Sequence, residues 1–469
     1  MLKTGDFTMS DYQLLVIGAG PGGYVAALQA AKLGLRTAVV ENRQAGGTCL
    51  NRGCVPTKTL LHSSQIYHDI SDGGHAGITA DAVRIDMDAI FAHKRQVSEK
   101  LSSGILSMFK SAKVDWLPGT GTIIAPNTVQ VAGTDGIQTY TADDILVATG
   151  SVPARPPIPG LELSGVMTSD ELLEGCDHLY RSIVIIGGGV IGVEFATFYN
   201  DLGCAVTIIE GMDRLLPTMD RELGQNLALI LKKRGVKIHT NSMVQNVERD
   251  ENGLTVNFVS KDAPGTASGE VVLCAIGRQP CLKGVFTDGL QPEMNGKSIQ
   301  VDAHYQTSIP HVYAVGDVSS RVQLAHVASA QGTACVDALC GRENSVDMNV
   351  VPSCIYSRPE IAVVGMTDQE AKEAGIPAKA GKCVMFGNAR TVIVNGDRCF
   401  MKVVARTDNH QIIGAQLMCQ NCTDMISQLG QAIANHMTVE QLLLAMRPHP
   451  TFEEALTEAL EDLLSKLKN

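Results

Sequence analysis

Cys49 and Cys54 are separated by four residues in the stretch Gly46-Gly47-Thr48-Cys49-Leu50-Asn51-Arg52-Gly53-Cys54-Val55-Pro56-Thr57-Lys58, which follows a glycine-rich turn. Two thiols so placed can hold an electron pair as a disulfide and release it to a neighbouring redox group. A metal site would need further ligands at suitable spacing, and only His62 lies close, so no metal is expected. A structural disulfide belongs to oxidising compartments, and the chain carries no secretory signal. The pair is therefore read as a redox centre. A regular α-helix cannot bridge it: five residues rise about 7.5 Å, beyond the Cα separation of about 7 Å that a disulfide tolerates. A distortion is expected between the two, and Asn51 and Gly53 are residue types that permit one.

Such a centre needs elements to hold it, and two strand–turn–helix units repeat along the chain. Gln13–Ile17 leads into Gly18-x-Gly20-x-x-Gly23, a helical pattern, the strand Thr37–Val40 and Glu41. Ser182–Ile186 leads into Gly187-x-Gly189-x-x-Gly192, a helical pattern, the strand Ala205–Ile209 and Glu210. In both, the acid stands 23 positions after the first glycine, and the units lie 169 residues apart. The glycines allow a tight turn, close approach of a pyrophosphate and packing of helix on strand, and the acid reaches a ribose hydroxyl. A phosphate would face the helix N-terminus. One such fingerprint is weak; two in register predict two dinucleotide sites. Each unit closes on a short strand and a glycine, Ile145–Gly150 and Val272–Gly277, and the proline-rich run Ser151–Gly160 crosses between them.

The 469 residues are enough for about two to four domains. With 45% hydrophobic and 19% charged residues the chain is globular rather than disordered. A net charge of −11 argues against nucleic acid as a main partner. No apolar run reaches about eighteen residues, so no membrane span is expected. Met1–Ser10 lacks the apolar stretch of a signal peptide, Met9 offers an alternative start, and the chain reads as cytoplasmic. Among the thirteen cysteines, Cys204, Cys274 and Cys335 sit in apolar runs as small hydrophobes. Cys419-x-x-Cys422 has no cofactor motif beside it and is read as structural. From Val351 onward, strand-like runs (Ile361–Val364, Phe400–Ala405, Ile412–Met418) alternate with helices. The last helix, from Phe452 to about Leu467, places Leu456, Ala459, Leu460, Leu463 and Leu467 on one face.

Nearly end to end, the chain resembles the pyridine nucleotide-disulfide oxidoreductases. The likeness rests on Gly46–Lys58, Gly187–Glu194, His311–Val318, the run Leu324–Gly332, the strand Val351–Gly365 and the motif His449-Pro450-Thr451-Phe452-Glu453-Glu454. It implies an α/β fold with two Rossmann-like dinucleotide-binding domains, a central segment and a C-terminal α+β dimerisation domain. The boundaries expected are a FAD-binding domain over 1–155, a NAD-binding domain over 156–282, a central segment completing the FAD site over 283–350, and an interface domain over 351–469. It also implies a homodimer whose active site joins the disulfide of one subunit to the histidine of the other.

By this resemblance FAD lies against Gly18, Gly20, Gly23, Glu41, Lys58, Gly121, Thr149, Gly150, Ser151, Asp317 and Ala325. NAD lies against Gly187, Gly189, Gly192, Glu194, Glu210, Val244 and Gly277. Lys58 stands at the reactive face of the flavin and Glu194 is its acidic partner. The alternative for Asp317 is a cap for the segment after it, but the preceding Gly316 and the family match favour FAD. Glu210 favours NAD, since a carboxylate accepts from a free 2′-hydroxyl but repels a 2′-phosphate. Arg214, nearby, is read as a solvated charge at a helix start.

The resemblance makes Cys54 the flavin-side thiol and Cys49 the interchange thiol. Free thiols, with a pKa near about 8.5, are mostly protonated at neutral pH, so the exchange needs a base. His449, between two prolines, is that base. Glu454 has two readings from spacing: it completes a capping box with Thr451, or it orients the imidazole. The resemblance supports the second. The reaction implied is oxidation of protein-bound dihydrolipoyl groups by NAD+, with partners among lipoyl-bearing subunits of 2-oxoacid dehydrogenase complexes or the glycine cleavage system. Reductases of glutathione and other small disulfides share the redox segment and are the alternative, but they typically use NADPH. The C-terminal cysteine pair of mercuric reductase is missing, the last cysteine being Cys422.

Overall fold

The computed structural model describes residues 9–468 other than 177, 252 and 345. The reading of Met9 as a start concerns residues 1–8, which lie outside the described residues. The chain divides into two compact units: Met1–Thr59, Ala89–Ala154 and Arg278–Val346 form one, and Leu60–Asp88, Arg155–Gly277 and Asp347–Asn469 the other.

In the first unit a parallel sheet runs in the order Asp115–Pro118, Thr37–Glu41, Tyr12–Ile17, Gly136–Val147, with Val312–Ala314 also parallel to Gly136–Val147. Leu14, Leu15 and Val16 are fully buried, because both faces of such a sheet are covered and alternation gives way to a continuous apolar run. The long strand Gly136–Val147 serves twice. Its end joins the parallel sheet, and its start continues the antiparallel meander Thr120–Ala125, Thr128–Gly133. Helix Pro21–Lys32 has proline at its start, where a missing N–H costs nothing. It crosses helix Ala325–Leu339 so closely that a Cβ on Gly332 would lie 2.4 Å from the Gly22 carbonyl.

The second unit repeats the plan. Its parallel sheet runs Lys237–His239, Ala205–Ile209, Ser182–Ile186, Val271–Cys274, Val166–Thr168. An antiparallel meander, Ser242–Asp250, Gly253–Ser260 and Ala263–Gly269, precedes Val271–Cys274, the last strand of that sheet in chain order. The same unit carries a five-stranded antiparallel sheet in the order Ser353–Ile355, Ile361–Gly365, Ile412–Met418, Phe400–Arg406, Ala378–Val384. The run Val351–Gly365, expected as one strand, is thus two antiparallel strands, turned at Ser357-Arg358-Pro359, where proline cannot continue a ladder. Helix Glu454–Leu467 closes the core of this sheet with Leu456, Ala459, Leu460 and Leu463 buried. Each leucine so buried contributes about 2 kcal/mol. Cys419 and Cys422 are fully buried in that core, as are Cys204, Cys274 and Cys335 in theirs.

Candidate active site

The two glycine turns are built alike, atom for atom. Gly18 (φ +105°) and Gly187 (φ +109°) adopt a backbone that side chains rarely tolerate. Their N–H groups donate to Val40 and Ile209, each at 2.8 Å. A Cβ on Gly23 would lie 1.8 Å from the Gly18 carbonyl, and one on Gly192 2.0 Å from that of Gly187. A Cβ on Gly20 or Gly189 would meet nothing within 4 Å, so the middle glycine of each turn faces open space. The acids are placed identically too. Glu41 accepts from Ala19 N–H (2.9 Å) and Arg43 N–H (2.8 Å); Glu210 accepts from Gly188 N–H (2.6 Å) and Met212 N–H (2.7 Å). Each oxygen spends one lone pair on the backbone and keeps another for a ribose hydroxyl. Both turns therefore fit a dinucleotide: a cradle that a side chain would fill, with a braced carboxylate beside it.

The thiol segment is docked on the first of these turns. Gly46 N–H donates to the Ala19 carbonyl (2.8 Å), and a Cβ on Gly47 would lie 2.6 Å from Gly20 Cα. Helix Gly47–Arg52 carries Cys49 and stops at Gly53 (φ −151°, ψ −111°); a second helix, Cys54–Ser71, starts at once. The distortion between the thiols thus falls at Gly53. Asn51 plays a different part from the one expected. It sits inside the first helix, and its amide donates to the Ala45 and Gly47 carbonyls, both at 3.0 Å, while its oxygen accepts from Ser102. It staples the segment rather than loosening it.

Cys49 is half-buried and Cys54 exposed. They share a hydrogen bond. That bond, then burial, then negative charge on Cys54 push the Cys49 thiol up, while the Lys58 ammonium pulls it down. Lys58, one helical turn after Cys54, is therefore the cation of the pair's surroundings. Tyr24 also borders the pair: burial, then charge at Cys49, raise its phenol.

Ser151 links two further expected residues. Its hydroxyl donates to Asp317 (2.5 Å) and accepts from Arg278 Nε (2.8 Å), and Arg278 also donates to the Ser151 carbonyl (2.7 Å). Asp317 lies within the turn Gly316–Val318, whose N-cap is Val315, so capping is not its role. Thr149 donates to the Cys281 carbonyl (2.8 Å), and Cys281 N–H returns to Gly150 (2.9 Å). Gly150 (φ +68°) and Gly277 (φ +119°) occupy matching open corners after their strands. Gly121 packs on the sheet instead: a Cβ there would press Ile17 and Val40 at 3.2 Å. Ala325 is the first residue of its helix. Val244 sits at the register shift of Ser242–Asp250, two residues after Ser242, whose N–H donates to the Glu210 carbonyl (2.9 Å). Glu194 is buried and accepts from Tyr356 N–H (3.0 Å). Arg214 is not at a helix start. It lies in the loop before helix Arg221–Lys233, bound to Asp213 (2.9 Å) and the Pro217 carbonyl (2.8 Å).

His449 is exposed, 71% of its side chain being accessible, and its Nδ1 lies 2.8 Å from Glu454 Oε1. The other carboxylate oxygen accepts from Thr451 N–H (2.9 Å). No capping box forms, since the helix begins at Glu454 after Glu453 and the Thr451 hydroxyl donates to the Pro448 carbonyl (2.8 Å); one Glu454 oxygen faces the imidazole and the other the Thr451 N–H. A carboxylate only accepts, so Nδ1 carries the proton and Nε2 presents its lone pair outward. The Thr451 N–H, then the imidazole, hold the Glu454 carboxyl below the usual carboxylate range.

The first-turn residues, both thiols and Lys58 fall in one unit; the second-turn residues, Glu194, His449 and Glu454 fall in the other. Tyr24, Arg278 and Cys281 were missed from sequence. Arg278 directly follows Gly277, and a polar residue at a glycine corner is the signal that could have found it.

The model of the pyridine nucleotide-disulphide oxidoreductases matches residues 12–332, and that of their dimerisation domain matches residues 351–460. A dihydrolipoyl dehydrogenase of Geobacillus stearothermophilus is 36% identical over 98% of this chain and 97% of its own. A dihydrolipoamide dehydrogenase of Chaetomium thermophilum is 35% identical over 99% of this chain and 93% of its own. Among solved structures, LpdA from Mycobacterium tuberculosis superposes with a TM-score of 0.87 at 27% identity, covering 96% of this chain and 99% of that one. The HOCl-induced flavoprotein disulfide reductase RclA of Escherichia coli, as its Cu(II) complex, gives 0.85 at 28%, covering 98% of this chain and 100% of that one.

Proposed function

The chain belongs to the pyridine nucleotide-disulphide oxidoreductases, and from that footing we propose that it oxidises protein-bound dihydrolipoyl groups to the disulfide, with NAD+ as hydride acceptor. One observation carries the reading: two hydrogen-bonded thiols at a broken helix, docked on a dinucleotide turn. The relatives named dihydrolipoyl dehydrogenase support the substrate, and the braced Glu210 supports NAD.

Bound FAD would be held by the first turn, Glu41, the Thr149–Ser151 corner and Asp317, and it supplies a two-electron relay between dithiol and NAD+. NAD+ would be held by Gly187, Gly189, Gly192, Glu210, Val244 and Gly277. The protein's own steps begin at His449. Nε2 accepts a proton from one substrate thiol, whose sulfur attacks Cys49 of the Cys49–Cys54 disulfide and displaces Cys54 as thiolate. The second substrate thiol then displaces Cys49, which closes the substrate disulfide and leaves the enzyme dithiol, two electrons richer. Glu454 keeps the imidazole in the reactive tautomer and stabilises its protonated form. The histidine comes from a second copy of this chain. The match to the dimerisation domain supports a homodimer, as do Leu444 and Met446, shortly before His449 in sequence, and Phe386 elsewhere in the same unit, large apolar side chains that are more than four-fifths exposed. Lipoyl-bearing subunits of 2-oxoacid dehydrogenase complexes or of the glycine cleavage system are the partners, in the cytoplasm, a compartment that keeps such thiols reduced.

The test sets NADH-dependent reduction of lipoamide beside NADPH-dependent reduction of glutathione disulfide. Activity confined to the second pair overturns the proposal. Two variants probe its parts. Glu454→Gln keeps one acceptor oxygen but loses the charge; turnover should fall about tenfold. The rising limb of the kcat/KM–pH profile should move to lower pH, since the carboxylate favours the protonated imidazole. An unmoved limb would leave Glu454 with its bond to the Thr451 N–H alone. Gly192→Ala forces the second turn open at a cost of about 1–3 kcal/mol. The NAD+ dissociation constant should rise about tenfold, with flavin absorbance unchanged. Unaltered NAD+ binding by calorimetry would argue against that turn as the nicotinamide site.

A further inference from the structure

The loop from Gly211 to Asp220 holds the second dinucleotide turn from behind. Its Met212 N–H binds Glu210, and its Leu216 N–H donates to the Gly188 carbonyl at 2.9 Å. Leu215 and Leu216 are buried, and a Cβ on Gly188 would lie 2.5 Å from the Leu215 side chain. The loop ends at Asp220, which caps helix Arg221–Lys233 by accepting from Glu222 N–H (2.8 Å). The second oxygen of Asp220 faces a strand of the antiparallel sheet in the same unit. There Lys402, on Phe400–Arg406 of the antiparallel sheet, pairs with Asp220 and with Asp368 at 3.0 Å. Lys402 is 8% exposed and Asp220 9% exposed. Burial opposes the ammonium charge, but the two carboxylates outweigh it and hold Lys402 above its ordinary value. A second tie runs parallel: Lys382 pairs with Glu222 and stands 4.6 Å from the Phe400 ring centroid.

We propose that Lys402 is a positioning residue for the nicotinamide nucleotide, anchoring the loop 211–220 to the C-terminal sheet so that Gly188 and Glu210 stay set for the ligand. The inference rests on the reading of the second turn as the nucleotide site. Its logic is the cost of an orphaned buried charge. Without the ammonium, Asp220 cannot remain unpaired where it is, and it turns to water. The cap loosens, Leu216 draws away from Gly188, and the N–H and carboxylate that meet the ligand lose their bracing. Lys402 touches neither Gly188 nor Glu210, so affinity for the nucleotide should change while the dithiol chemistry does not.

The experiment uses flavin-loaded protein carrying Lys402→Met, or Asp220→Ser, which retains a capping oxygen but removes the partner of Lys402. NAD+ affinity is measured by calorimetry, and hydrogen exchange is followed over residues 211–220. Both variants should bind NAD+ about tenfold more weakly, with faster exchange in that loop. Flavin content and reduction of the enzyme by dihydrolipoamide should match the native protein. If Lys402→Met does not fold, Asp220→Ser decides. A folded variant of either kind with native NAD+ affinity overturns the proposal, whatever its melting temperature. If the native protein itself binds no nicotinamide nucleotide, it is the reading of the second turn that falls.

Discussion

Replacing Cys49 with serine is expected to lower NAD+-dependent oxidation of dihydrolipoamide by about 10⁴-fold or more. Serine fills the same half-buried place, so folding and flavin content should be kept. What disappears is the sulfur that receives the substrate thiol, and with it any route to a mixed disulfide. Cys54 cannot substitute, because a disulfide needs two sulfurs and Cys49 is its hydrogen-bonded partner. Oxidation of NADH by ferricyanide bypasses the dithiol and should stay within about twofold of native. That contrast separates loss of the thiol from loss of the cofactor sites. If dihydrolipoamide turnover survives at more than a few per cent, the exchange mechanism at Cys49 is wrong.

The second large effect belongs to His449. His449→Gln retains a polar side chain between the same two prolines but cannot take up a proton, and at pH 7 turnover should fall about 10³-fold. The loss has a pH signature with a definite sign. A free thiol ionises near about pH 8.5, so the substrate increasingly supplies its own thiolate as pH rises and needs the base less. The gap between native and variant should therefore narrow toward pH 9. A gap that stays constant across that range would mean that the imidazole positions substrate without moving its proton. Because Nδ1 is engaged by Glu454, the same experiment on Glu454→Gln should show a smaller defect at every pH.

The parts of this site that sequence makes legible are those where chemistry demands one residue type. Gly18, Gly23 and their counterparts Gly187 and Gly192 must be glycine, because a Cβ would strike backbone oxygen. The acids at the ends of their strands follow from the same repeat. The break between the thiols follows from disulfide reach, and Gly53 was the residue able to supply it. Interactions made through a side chain's second valence are harder to see. Glu454 looked like a choice between cap and orienting acid; no capping box forms, and its two oxygens meet the imidazole and the Thr451 N–H. Asn51 looked permissive, because its type is common in turns, but its amide found two carbonyls inside a helix. The glycine corner before Arg278 marks that residue but not its partner Ser151, and no local pattern marks Lys402 or its pairing with Asp220. Val351–Gly365 reads as one strand because both halves are apolar, and only the proline between them records the turn.

The double occupation of Glu210 limits how coenzyme preference can be redesigned. The usual exchange for accepting a 2′-phosphate swaps the acid for a small or basic residue. Here that exchange would also strip the acceptor from Gly188 N–H and Met212 N–H, two donors that hold the turn and the loop behind it. A variant at Glu210 alone should thus lose its old coenzyme without gaining the new one. Retargeting would require a replacement brace from the neighbouring loop, with Arg214 first released from the Pro217 carbonyl. The acid is a structural strut as much as a selectivity element, and evolution of this site has to change both together.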